Sequence, residues 1–166
     1  QWIGNGFLIP AGPLREKLDS IKKYDAIVIN GDPRLNGDLV NEINKIKTDL
    51  QIFETNYEIS NLEEFDKKIN YVIFSGIGNP KNFLKTLKEN NLNILKEFIF
   101  PDHHNYTDND LGNIINYSKT NNLKIITTEK DYLKISEKFQ KEMLYLKLKL
   151  KILNEKKFLE FLTHKK

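Results

Sequence analysis

The chain has 166 residues, 39% hydrophobic and 30% charged, enough for one solid core and ordinary for a soluble domain. A net charge of +3 excludes the strong basic excess of a dedicated nucleic-acid binder, and the absence of cysteine excludes disulfides, zinc–thiolate centres and thiol nucleophiles. No apolar run approaches the roughly 20 residues that cross a bilayer and no signal-peptide pattern is present, so a cytoplasmic setting is expected.

The sequence opens at Gln1 and its only methionine is Met143, so it reads as a piece of a longer protein. Of the 26 basic residues only Arg15 and Arg34 are arginine, a skew that fits A/T-rich codon usage. These two are either chance survivors or places where a rigid fork must grip a carboxylate or phosphate.

Residues 1–13 carry three glycines and no helical period, and the apolar side chains Trp2, Phe7, Leu8 and Ile9 call for an ordered loop or hairpin. Pro13 suits the first turn of a helix running to about Lys23. Asp25–Asn30 is a short apolar strand, and Gly31-Asp32-Pro33 breaks the chain. Leu39, Ile43, Ile46 and Leu50 then follow helical spacing. Gln51–Ser60 reads as a strand, Leu62–Ile69 as a helical connection and Tyr71–Phe74 as a buried strand. Asn79 caps and Pro80 opens the helix that follows.

Ile94–Phe100 is a strand stopped by Pro101. Thr107 or Asp108 caps a helix to about Thr120, and Lys124–Thr127 is a further strand. Thr128 and Asp131 form a capping-box-like start to the next helix. Met143–Ile152 alternates as one strand, and Phe158, Leu159 and Leu162 mark a closing helix. Strands alternating with helices over residues 24–166 predict an α/β fold with a mostly parallel sheet covered on both faces, a three-layer domain.

In open α/β sheets ligands gather at the carboxyl ends of strands. Three polar clusters fall there: Ser75–Pro80 (SGIGNP), Pro101–His104 (PDHH) and Thr127–Asp131 (TTEKD). His103 can move a proton near neutral pH, and Asp102 can orient it. The same residues also suit a plain polar loop. Gly76 and Gly78 between a strand and a helix resemble a phosphate-cradling turn. They lack the third glycine of a dinucleotide fingerprint, and no Gly-Lys-Ser/Thr P-loop occurs in the chain. Thr128, Glu129, Lys130 and Asp131 suit a capped helix as well as they suit a site. The lysines at 147, 149 and 151 suit an edge strand guarded against aggregation, and also an anionic surface.

Four segments in order, Gly4–Glu16 (GNGFLIPAGPLRE), Ser75–Phe83 (SGIGNPKNF), Phe100–Asp110 (FPDHHNYTDND) and Thr127–Asp131, resemble the tetraacyldisaccharide 4'-kinase family. The match is specific over about 130 residues and is only a general pattern after Ile135. The resemblance implies a kinase moving the γ-phosphate of ATP, with Mg²⁺, to the 4'-hydroxyl of a lipid A disaccharide 1-phosphate. It also implies a peripheral monomer on the cytoplasmic side of the inner membrane, with no nucleic-acid partner.

In that family an N-terminal P-loop domain and a C-terminal Rossmann-like domain enclose the active site. Residues 1–23 would here join the second domain to the missing first one, which would hold most of the ATP and Mg²⁺ contacts. His103 would pair with an upstream aspartate to take the sugar hydroxyl's proton, supported by Asp102 or His104. Glu16 would lie near metal or phosphate, with Arg15 beside it as an anion clamp. Asn5, Gly76, Gly78, Asn79, Thr128, Glu129 and Lys130 would border substrate or phosphate. The chain by itself is expected to be inactive. Two other readings are a metal-dependent phosphoesterase of the Asp-His-His type, with Asp108 and Asp110 as further acids, and a truncated non-catalytic α/β module.

Overall fold

The computed structural model describes residues 3–31, 34 and 36–163. The expected burial of Trp2 and part of the Gly31–Pro33 break lie outside these residues. The chain forms two compact units, residues 1–58 with 149–166 and residues 59–148.

In the first unit, β1 (Ala26–Asn30) pairs in parallel with β2 (Gln51–Ile59), and α1 (Gly37–Ile46) links them. A late strand, β7 (Leu148–Ile152), completes a three-stranded sheet in the order β1-β2-β7. Ile29, Ile43 and Leu50 form its small core, and Phe53 packs against Phe158 and Phe161 of the closing helix, Glu155–Thr163.

Residues 13–17 do not join the expected helix, which is a 3-10 helix over Leu18–Lys23 alone. The reason lies in the preceding loop. Leu14 donates its N–H to the Phe7 carbonyl and its own carbonyl accepts from Ile9, so neither group is free to begin a helix.

The second unit is a four-stranded, wholly parallel sheet in the order β4-β3-β5-β6. Its strands are β3 (Asn70–Ser75), β4 (Asn93–Ile99), β5 (Lys124–Thr128) and β6 (Met143–Leu146). Alternation along β3 decides the layers. Tyr71 and Ile73 point to one face, where α2 (Pro80–Glu89) contributes Phe83 and Leu87. Val72 and Phe74 point to the other, where α3 (Asp108–Thr120) contributes Leu111, Ile114 and Ile115. The expected three-layer α/β arrangement is present, with every strand of this sheet parallel.

Two local expectations change. Met143–Ile152 is not one strand, because Lys147 is drawn aside: its N–H donates to Asn61 Oδ1 and its carbonyl accepts the Ser60 N–H. β6 therefore ends before Lys147, and β7 belongs to the other sheet. Between Leu62 and Ile69 only Leu62–Glu64 is helical, as a single 3-10 turn.

Ile73 is 0% exposed inside the sheet and Leu133 is 73% exposed. Ile73→Ala should therefore cost about 2–5 kcal/mol in urea denaturation, and Leu133→Ala within about 0.5 kcal/mol. Equal losses for the two would contradict this layering.

Candidate functional site

Because β3, β4 and β5 run parallel, the turns that follow them emerge at one edge of the sheet. The chain leaves β3 to one side, forms β4, and returns across β3 to form β5 on its other side. The point where direction reverses, between β3 and β5, is where a doubly wound sheet opens a crevice. A groove of about 300 Å³ lies there, lined by Ile77, Asn79 and Phe83 after β3 and by Thr128, Glu129 and Lys130 after β5.

The turn after β3 is tightly enclosed. A Cβ on Gly76 would stand 2.9 Å from the Tyr106 hydroxyl, closer than real side chains stand, and 3.1 Å from the Pro101 carbonyl oxygen, a tight contact. At Gly78 a Cβ would meet the Asp102 carboxylate at 3.4 Å, an ordinary contact. Asn79 caps α2 as expected, its Oδ1 accepting the Asn82 N–H at 3.1 Å.

The turn after β4 separates the two histidines. His103 has φ 61, a left-handed conformation uncommon for a residue with a side chain, and its ring is 75% exposed. Its N–H donates to the Gly76 carbonyl at 3.1 Å and to Asp102 Oδ1 at 3.0 Å. The His103 Nε2 lies 3.9 Å from Asp102 Oδ2, and Lys130 Nζ donates to Asp102 Oδ1 at 3.3 Å. Partial burial pushes the Asp102 carboxyl up, but the Lys130 ammonium and then His103 outweigh it and hold the group below the ordinary carboxylate value. Asp102 thus stays anionic beside an exposed imidazole.

His104 does not support His103. Its ring stacks on Phe100 and its Nε2 lies 3.2 Å from Asp110 Oδ2. Asp110 also accepts from the Thr107 N–H and hydroxyl, completing a full capping box on α3. Asp108 pairs with Lys138. The second acidic pair in this region thus serves the start of a helix and a surface ion pair.

Asn5, Arg15 and Glu16 belong to the other unit. Both ends of the Asn5 side chain close its own loop, on the Ala11 carbonyl and the Phe7 N–H. Glu16 accepts the Tyr24 hydroxyl at 3.1 Å, and Arg15 is exposed. Among the described residues no three His, Asp or Glu side chains gather as a metal ion requires.

Sequence reasoning passed over Tyr106 and weighed Asp131 as a helix cap or as one member of a polar cluster, with no role of its own. Both lie beneath the Gly76 turn. Burial first, then the Asp131 and Asp110 carboxylates, push the Tyr106 phenol far above its ordinary value. The hydroxyl stands near Asp131 without hydrogen-bonding geometry. An aromatic residue just after the histidine pair was the available signal, and nothing local marked its depth.

The family model for Tetraacyldisaccharide-1-P 4'-kinase matches residues 1–166. The tetraacyldisaccharide 4'-kinase of Pelagibacter ubique is 41% identical over 156 residues, covering 94% of this chain and 50% of that protein. Its counterpart in Rickettsia canadensis is 44% identical over 140 residues, covering 81% and 40%. A crystal structure of LpxK from Aquifex aeolicus in complex with ATP matches with a TM-score of 0.64 at 25% identity, covering 95% of this chain and 47% of that one. The chain thus spans about half the length, or less, of the relatives it matches.

The Thr107 N–H and hydroxyl, and then His104, hold the Asp110 carboxyl below its ordinary value of 3.8. Since the folded value is the lower one, the resulting stability is present above the unfolded pKa and is lost as pH falls through the depressed folded value. Thr107→Ala should move the Asp110 titration upward, as read from side-chain carboxyl carbon shifts. Stability should also fall less steeply with acid across that window. An Asp110 titration identical to wild type would refute the capping assignment.

Proposed function

The chain belongs to the tetraacyldisaccharide 4'-kinase family, and from that premise we propose that it furnishes one wall of a lipid A kinase site. The reaction would carry the γ-phosphate of ATP to the 4'-hydroxyl of a tetraacyldisaccharide 1-phosphate. The observation that carries this reading is the convergence of His103, Asp102 and Lys130 at the carboxyl edge, beside the groove.

Phosphoryl transfer needs charge neutralisation, positioning and a route for the hydroxyl proton. The exposed imidazole of His103 takes that proton, directly or through an acidic partner elsewhere in the protein. Asp102, held anionic, stabilises the imidazolium that results. Lys130 holds Asp102 in place and adds positive charge near incoming phosphate. Asn79, Thr128 and Glu129 line the groove that would receive the polar part of the acceptor. Gly76 lets the turns close around that edge, and Gly78 follows it in the same turn.

Mg²⁺ and the nucleotide phosphates are assigned to other parts of the protein, because the described residues do not fit a metal and the sequence has no P-loop. Residues 1–23 serve in this reading as the join to the ATP-binding part. The whole enzyme would work as a peripheral monomer at the cytoplasmic face of the inner membrane.

In the protein that contains this chain together with its ATP-binding part, His103→Ala should lower kcat by roughly 10²–10⁴ with an unchanged circular dichroism spectrum. The 166-residue chain alone should transfer no phosphate from ATP and Mg²⁺ to the disaccharide. Wild-type turnover in the variant would sink the role of His103, and transfer by the chain alone would sink the division of labour.

A further inference from the structure

The chain contains the same local pattern twice, Thr-x-x-Asp at Thr107–Asp110 and at Thr128–Asp131. In both, the threonine hydroxyl accepts the N–H of the aspartate. The carboxylates then part ways. Asp110 turns back to the Thr107 N–H and closes its own cap at 2.9 Å. Asp131 Oδ2 accepts the Thr128 hydroxyl at 2.8 Å, but in place of the threonine N–H it accepts the backbone N–H of Gly76 at 3.0 Å, across the β3–β5 boundary.

Asp131 is 0% exposed, and its other oxygen has the Lys134 ammonium at 3.6 Å but no hydrogen bond. Burying a carboxylate is costly, and α4 (Glu129–Tyr132) is too short to need one. A threonine cap alone would start such a helix. The charge is placed where it constrains Gly76, and Gly76 in turn constrains His103, because the Gly76 carbonyl accepts the His103 N–H. Tyr106 and Pro101 crowd the Gly76 α-carbon so closely that a side chain there would have no room.

We propose that Asp131 is a positioning residue that, through the backbone on either side of the Gly76 α-carbon, holds His103 in its left-handed conformation and aims the exposed imidazole. The inference rests on the reading of His103 as the proton-handling group. It adds a residue that touches neither substrate nor the imidazole.

The test uses the protein that contains this chain with its ATP-binding part. Asp131→Ala and Asp131→Leu (which fills the buried space without an acceptor) are compared with Asp131→Asn, which keeps an acceptor for the Gly76 N–H. Amide hydrogen exchange at Gly76 and His103 is followed with kcat and KM for the disaccharide. Both acceptor-free variants should lose protection at the two amides together. Their kcat should fall on the order of 10- to 100-fold, with KM within about twofold. Asp131→Asn should recover protection at Gly76 and most of the rate.

Faster exchange at Gly76 with His103 protection and kcat unchanged would overturn the proposal. So would global unfolding of both acceptor-free variants, which would mark Asp131 as a support of the fold alone. Activity retained in His103→Ala would instead remove the reading of His103. Activity lost there, with normal turnover in the Asp131 variants, would remove this inference and leave that reading standing.

Discussion

The central strand β3 is hydrogen-bonded on both sides to strands running the same way, β4 and β5. Parallel pairing leaves no freedom over where the following turns emerge: three polar turns from separated parts of the chain must share one edge. The alternation of Tyr71, Val72, Ile73 and Phe74 supports this by burying both faces, one beneath α2 and the other beneath α3. A sheet buried on both faces cannot slip by one residue without exchanging its two cores. The edge that carries the polar turns is therefore as well defined as the core behind it.

Three carboxylates within a short stretch of that edge have different fates because their surroundings differ. Asp102 is half exposed and kept anionic by Lys130 and His103. Asp110 is spent on the start of α3 and on His104. Asp131 is wholly buried and reaches across strands to a backbone N–H. Only the first leaves its histidine open to solvent. Chemistry and scaffolding thus divide between residues that look alike in composition.

The strands and most helices were legible in the sequence because their causes are local. The apolar run at 71–74, the Asn79-Pro80 helix start and the Thr107 cap act over a few residues, and each recurs in the structure. Two of the elements that departed from expectation were overruled by hydrogen bonds from outside the element. Leu14 is held by Phe7 and Ile9, and Lys147 by Ser60 and Asn61. The left-handed turn at His103, fixed by the Gly76 carbonyl, had no local signal either.

By itself the sequence determined the family, the parallel α/β character and the three polar turns, because ordered motifs and hydrophobic periodicity are properties of the chain read in line. Tertiary structure alone decided which of two adjacent histidines faces solvent and which of two identical Thr-x-x-Asp patterns closes on itself. Those outcomes depend on what stands opposite each side chain once β3, β4 and β5 lie side by side. A hydrogen bond between residues 55 apart, such as Asp131 to Gly76, exists only after the strands have paired.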